Sequence, residues 1–88
     1  MLQVTEQARK RLTHLLKSQT DDRQVGLRFQ LADNGVFSIM LDSSERGDTV
    51  YMEDDCRVVI MNQELAERLD GHTLDLSEKE AEQEFVIY

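Results

Sequence analysis

The feature that most constrains the fold is a two-strand pattern between residues 25 and 42. Its first half alternates apolar residues with small or polar ones, and the apolar positions are Val25, Leu27, Phe29 and Leu31. Such period-two alternation is typical of a half-buried strand. Asn34-Gly35 is a turn signal because both residues tolerate a positive φ, and the run Val36–Leu41 after it is largely apolar. The stretch therefore predicts a hairpin of two strands.

An amphipathic helix is predicted ahead of this hairpin. Its apolar positions recur at helical spacing and form one stripe, made of Val4, Ala8, Leu12, Leu15 and Leu16. Thr5 is a suitable N-cap, and Glu6, just inside the first turn, suits the helix dipole. The polar residues 19–23 are expected to end the helix.

Short strands and one short helix are predicted after the hairpin. The strand segments are Thr49–Met52, Arg57–Met61, His72–Leu76 and Phe85–Tyr88. Asn62 can cap a helix over Gln63–Leu69, and Asp70-Gly71 would end it because glycine is a common C-terminal cap.

In this order, the elements predict a single domain over residues 1–88 of the α+β class, mainly β. We expect a curved mixed sheet or a flattened barrel, with the N-terminal helix packed on it and one short internal helix. A chain of 88 residues builds only a thin core. A homodimer interface could supplement that core.

The charge of the chain limits its partners. Acids outnumber bases 18 to 10, and the net charge is −8. Because binding to nucleic acid needs clustered Lys and Arg, we do not expect it. Residues 1–20 nevertheless carry four bases and one acid. This basic patch could steer a protein partner or another copy of the chain, although a solvated helix face is the simpler interpretation.

The sequence also predicts the compartment. No apolar run approaches the roughly 18 residues that a membrane span requires, and no signal-peptide pattern is present. The single cysteine, Cys56, excludes an internal disulfide. We therefore expect a cytoplasmic protein that does not contact a membrane.

Several short strings, in this order and at compatible spacing, resemble the HesB-like domain of A-type iron–sulfur carriers, the IscA family. The strings are Leu2-Gln3-Val4-Thr5-Glu6-Gln7-Ala8, Gly26-Leu27-Arg28, Phe37-Ser38-x-x-Leu41-Asp42, Gly47-Asp48, Leu69-Asp70-Gly71-x-x-Leu74-Asp75 and Phe85-Val86-Ile87. They extend over nearly the whole chain. The resemblance implies the HesB-like fold and a link to iron–sulfur metabolism.

The ligand positions of that family are where this chain departs from it. The family's carriers hold iron or a cluster through three thiolates, one in the turn before Phe-Ser and two in a C-terminal Cys-Gly-Cys. Soft sulfur ligands suit iron–sulfur clusters, but Asn34 stands at the first position and the chain ends at Tyr88, before the pair would begin. Cys56 falls where the family has a turn residue. The resemblance therefore implies a scaffold with a degenerate ligand site, and we assign no cofactor, no metal ligand and no catalytic residue.

Three other side chains are candidates for chemistry. Cys56 could be a solitary ligand shared across a dimer or a reactive thiol, but a small residue at the start of a strand is the better interpretation, because such sites need partners. His14 and His72 could be ligands or acid–base groups. We expect both to be surface histidines without a special role.

The acidic residues leave one alternative open. Glu53-Asp54-Asp55, with Asp42 and Asp48, could bind a hard cation, but the spacing matches no EF-hand and favours an acidic turn. A metal or small-ligand site built from Asp33, Asn34, Asp42 and His72 is the competing hypothesis for function.

No phosphate loop, zinc-type Cys/His spacing or nucleophile elbow is present in the sequence. We therefore expect a non-catalytic protein that acts through contacts with a protein partner, which the sequence does not identify.

Overall fold

The computed structural model describes residues 1–33, 37–79 and 82–88. The elements in chain order are β1 (Gln3–Val4), α1 (Glu6–Gln19), β2 (Val25–Leu31), β3 (Phe37–Ser43), β4 (Thr49–Glu53), β5 (Cys56–Met61), α2 (Gln63–Arg68), β6 (Thr73–Lys79) and β7 (Glu82–Ile87). The predicted α+β, mainly β class with an N-terminal and a short internal helix is confirmed.

The strands form two sheets. The larger is four-stranded in the order β3-β2-β5-β4, and the smaller is three-stranded in the order β1-β6-β7. Strands β2 and β5 run parallel, as do β1 and β6, and the remaining neighbours are antiparallel. Neither sheet closes on itself among the described residues, so of the two predicted forms the structure has mixed sheets rather than a barrel.

The N-terminus differs from the prediction at Val4. This residue belongs to β1 and pairs with Leu74, whereas the periodicity placed it on the helical stripe. Thr5 does cap α1, since its hydroxyl accepts a hydrogen bond from the backbone N–H of Ala8 at 3.2 Å. The sequence pattern does not reveal β1, because a strand of two residues is too short to show alternation and its partner β6 lies far along the chain.

The predicted hairpin strands pair as expected. Strands β2 and β3 are antiparallel in an unbroken register from Val25↔Ser43 to Leu31↔Phe37. The predicted Asn34-Gly35 turn between them lies outside the described residues.

The core lies where α1 packs against strands of both sheets, namely β2, β5 and β6. Strand β5 supplies two consecutive core residues, Val58 and Val59, both fully buried. This is possible because its register against β2 shifts by one residue, from Gly26↔Arg57 to Arg28↔Ile60. The extra residue lets two neighbouring side chains turn towards the core.

Gly26 allows this close approach of β2 to β5. A Cβ atom at this position would lie 2.3 Å from the carbonyl oxygen of Arg57 and 2.8 Å from Cδ1 of Ile60. Backbone atoms cannot give way as a flexible side chain can, so the parallel pairing depends on glycine here.

We expect Gly26→Ala to lower the free energy of unfolding by about 3 kcal/mol or more, at the upper end of overpacking effects. The matched control is Gly47→Ala. Gly47 has a φ of +92° but open space around the new Cβ, so only backbone strain of about 1 kcal/mol is added. Urea denaturation followed by circular dichroism measures both variants. Equal midpoints for the two would contradict the packing argument.

Candidate functional site

The most concentrated polar cluster that the structure describes surrounds Arg28 in the middle of β2. The side chain of Arg28 is 9% exposed, and its Nε donates to Oδ2 of Asp42 at 2.6 Å. Its Nη2 donates to Oδ2 of Asp48 at 2.6 Å and to the carbonyl oxygen of Ser43 at 3.1 Å. One buried cation is therefore held by two carboxylates and a backbone oxygen. We call Arg28, Asp42 and Asp48 the arginine clamp.

The arginine clamp lies under a connection that crosses the sheet. Strands β3 and β4 occupy opposite edges of the four-stranded sheet, so residues 44–48 must pass over β2 and β5, a distance of about 14 Å at the usual strand spacing. Asp42 lies near the end of β3 and Asp48 directly precedes β4. Arg28 therefore binds both ends of the crossover.

The crossover covers the sheet face that points away from α1. Arg28 pairs with Met40 and Ile60, and such cross-strand partners share a face. Leu27 and Phe29, whose side chains point to the other face, belong to the core. Ile60 is fully buried but lies outside the core cluster, which is consistent with its burial beneath the crossover.

Asp48 is held as firmly as the arginine. Its side chain is 7% exposed, and Oδ2 also accepts a hydrogen bond from the backbone N–H of Glu45 at 2.7 Å. The Arg28 guanidinium, and secondarily the Glu45 amide, hold the pKa of Asp48 below its ordinary value, although burial acts against this shift. Asp48 is therefore ionised and bound within the fold.

The hydrogen bonds of Asp42 and Asp48 argue against the alternative that the acidic residues bind a hard cation. The carboxylates of Asp42 and Asp48 both bind the guanidinium of Arg28. The Glu53-Asp54-Asp55 segment forms a turn at the far end of β4, where Asp54 and Asp55 have φ values of +51° and +63°. Nowhere in residues 1–33, 37–79 and 82–88 do three His, Cys, Asp or Glu side chains form a group suited to a metal ion.

A second polar contact joins the two ends of the chain. The hydroxyl of Thr5 donates to Oδ1 of Asp75 at 2.6 Å, and the backbone N–H of Leu76 donates to the same oxygen at 2.8 Å. The hydroxyl of Tyr88 donates to Oδ2 at 3.3 Å. The Thr5 hydroxyl, followed by the Leu76 amide, lowers the pKa of Asp75. The N-cap of α1 is thus fixed to β6.

Cys56 is the first residue of β5 and is 6% exposed. This agrees with its interpretation as a small residue at the start of a strand. It borders a cavity of about 280 Å³ between the end of α1 and the start of β2, with Leu16, Lys17, Thr20 and Arg23 also in its wall. The thiol has no second cysteine to act with.

The other candidate donors lie apart from one another. His14 is exposed on α1, and His72 is exposed just before β6. Asp33 borders a second, open cavity of about 380 Å³ with Ser38, Asn62 and Arg68, while Asp42 belongs to the arginine clamp. Asn34, the remaining donor of the competing hypothesis, lies outside the described residues.

Solved structures show the same fold along this chain. Escherichia coli SufA, described as involved in biosynthesis of iron–sulfur clusters, superposes with a TM-score of 0.73 at 20% identity over 99% of this chain and 83% of its own. IscA with a 2Fe-2S cluster gives 0.65 at 19% identity over 100% and 84%. A solution NMR structure of a protein from Aquifex aeolicus gives 0.67 at 21% identity over 99% and 89%.

These similarities confirm the HesB/IscA-like fold that the sequence strings resemble. Identities of 19–21% show the fold alone. No protein-family model matches the sequence, and a search of curated proteins gives no match either. Within the described part of the chain, no helix is long and apolar enough to cross a membrane.

We expect Arg28→Ala to lower the free energy of unfolding by about 3–5 kcal/mol, because it leaves the buried Asp48 carboxylate without its cation. The free energy of unfolding of Arg28→Lys should lie between those of the wild type and Arg28→Ala. Lysine keeps the positive charge, but its ammonium group lacks the planar fork that binds both carboxylates. The control is Arg46→Ala, an exposed arginine in the same crossover, with an expected change within about 0.5 kcal/mol. Equal urea midpoints for Arg28→Ala and Arg46→Ala would refute the clamp.

The clamp also predicts a pH dependence. Because the folded pKa of Asp48 lies below its ordinary value of 3.8, its ionisation stabilises the fold above that pH, and the stabilisation is lost as the pH falls through the folded pKa. The difference in unfolding free energy between the wild type and Asp48→Asn should therefore be greatest near neutral pH and shrink below pH 3.8. Urea titrations at several pH values measure it, and a difference independent of pH would contradict the assignment.

Proposed function

We propose that the protein is a non-catalytic, cytoplasmic accessory of iron–sulfur metabolism that acts through contacts with other protein chains. In this proposal it does not carry a cluster by the three-cysteine route. The fold supports the link to iron–sulfur metabolism, since SufA is involved in cluster biosynthesis and IscA holds a 2Fe-2S cluster. The observation that carries the proposal is the position of Cys56, the single cysteine of the sequence.

Cys56 is unsuited to hold a cluster with partners from its own chain. Iron–sulfur clusters are bound by several thiolates, often four, whereas this chain offers one. Its side chain is nearly buried at the start of β5, so a thiolate contributed by a second copy would not reach the same iron without opening the strand. Oxygen and nitrogen donors select harder metals than a cluster iron.

The described residues also support a role in binding rather than catalysis. Catalysis needs an acid, base or nucleophile placed in a pocket beside the reacting atoms. In the polar cluster best defined here, the arginine clamp, Arg28 donates to both carboxylates and to the carbonyl oxygen of Ser43, so these groups already serve the fold. Cys56 borders a cavity whose lining, among the described residues, includes no histidine that could act as a base beside the thiol.

The protein should stay colourless after anaerobic reconstitution with ferrous iron and sulfide, because the sequence has one cysteine and the family's route needs three thiolates. Visible absorbance, together with iron and sulfide analysis after desalting, measures the outcome. Cys56→Ser reconstituted in parallel is the matched control, and both proteins should contain substoichiometric iron.

A stoichiometric cluster in the wild type would overturn the proposal. If its absorbance persisted in Cys56→Ser, oxygen and nitrogen donors would be the ligands. If it disappeared, the buried thiol would be a cluster ligand after all.

A further inference from the structure

We infer that the outer edge of β3 pairs, antiparallel, with the same edge of a second copy of this chain. This inference rests on the proposed function, in which the protein acts through contacts with other chains, and it names one such contact. The two four-stranded sheets would join into one continuous sheet across a two-fold axis. Isologous pairing of this kind is closed, so it gives a dimer and not a fibre.

Strand β3 has the exposure of an interface strand. It forms one edge of its sheet, and within residues 1–33, 37–79 and 82–88 it pairs only with β2. Only Ile39 and Asp42 are half-buried, and the exposed residues are Phe37, Ser38, Met40, Leu41 and Ser43. Three large apolar side chains are therefore in water along one strand that also presents unpaired backbone groups.

The opposite edge of the same sheet is protected. Strand β4 has a single exposed residue, Met52. The hydroxyl of Tyr51 donates to the carbonyl oxygen of Leu2 at 2.7 Å, and Glu53 lies 3.7 Å from Arg9 of α1. The N-terminal part of the chain thus covers β4, while nothing described covers β3.

Strand β3 also lacks the usual features that prevent edge pairing. Monomeric proteins prevent another strand from pairing with an exposed sheet edge by placing a lysine, a proline or a bulge there. The strand sequence Phe-Ser-Ile-Met-Leu-Asp-Ser has no lysine or proline, and its register with β2 is unbroken over all seven residues. A flat, regular, apolar edge of this kind is suited to accept another strand.

The five central residues of β3, from Ser38 to Asp42, are self-complementary about Met40. In antiparallel pairing centred on this residue, Met40 lies opposite its own copy and Ile39 lies opposite Leu41. Ser38 then lies opposite Asp42, so a hydroxyl donor meets a carboxylate acceptor. From Ser38 to Asp42, apolar residues thus face apolar ones and polar residues face polar ones, whereas the outermost pair sets Phe37 opposite Ser43. The matched central pairs stabilise this pairing and favour a second copy over an unrelated segment.

Charge favours the same edge. A net charge of −8 makes two copies repel one another over most of their surfaces. The one charged residue of β3 is Asp42, and its carboxylate is paired with the guanidinium of Arg28. The strand is therefore a surface along which two acidic copies can approach.

The test compares two matched substitutions, Met40→Lys and Met52→Lys. Both methionines face away from the core on edge strands of one sheet, and they are 48% and 51% exposed. Sedimentation velocity over a series of protein concentrations should show a concentration-dependent monomer–dimer equilibrium for the wild type and Met52→Lys. Met40→Lys sets two like charges opposite each other and should raise the dissociation constant at least about tenfold.

A second measurement guards against misfolding of a lysine variant. In antiparallel pairing the Cα atoms of opposite residues lie about 4.5–5.5 Å apart, within the range that a disulfide spans. Mild oxidation should therefore link Met40→Cys into a covalent dimer. Met52→Cys, which retains the same buried Cys56, should stay monomeric on a non-reducing gel.

A wild type that stays monomeric at high concentration, or a dimer that Met40→Lys and Met52→Lys weaken equally, would overturn the inference. Equal cross-linking of the two cysteine variants would do the same. Reconstitution is a separate readout, so the two ideas can fail separately. A colourless monomer contradicts the β3 pairing alone, whereas a cluster-loaded dimer that only Met40→Lys dissociates contradicts the proposed function alone.

Discussion

The four-stranded sheet depends on a single guanidinium that binds both ends of the connection between its edge strands. Arg28 donates to Asp42 on one side and to Asp48 on the other, so the five residues between β3 and β4 are tied down across the face of β2 and β5. Burying a charge is unfavourable unless geometry and hydrogen bonding are good. Here two contacts of 2.6 Å and the carbonyl of Ser43 bind the arginine, and one of these contacts pairs the only charged residue of β3, Asp42, with a cation.

The strings that resemble the HesB-like family mark structural requirements of this fold. Gly26 permits β2 to lie against β5, and Arg28, two residues later, reaches Asp48. Gly47 makes the turn with φ of +92° that directly precedes Asp48, and Asp75 accepts the hydroxyl of the N-cap Thr5. None of these residues needs a metal for its role. The roles of these residues in the scaffold therefore do not depend on a metal site, since a fold and the sites placed on it are separable.

The two edge strands of the larger sheet, β4 and β3, differ in whether other parts of the chain cover them. The N-terminal segment covers β4, because Tyr51 reaches the backbone of Leu2, and it also completes the small sheet through β1. Strand β3 has no such cover among the described residues. In a small chain whose core is thin, an apolar edge is where further surface can still be buried, and contact with other chains is the kind of function that such a surface serves.

The sequence alone determined the features that arise from local physics. Alternation identified β2, helical spacing and an N-cap hydroxyl identified α1, and Asn62 correctly placed the start of α2. Periodicities and caps act within a few residues, so they can be read along the chain. Only the tertiary structure decided that Val4 joins β6, that β3 and β4 take opposite edges, and that Asp42 and Asp48 serve Arg28. These outcomes depend on pairings between distant segments, and a carboxylate in the sequence carries no sign of the cation that the fold will bring to it.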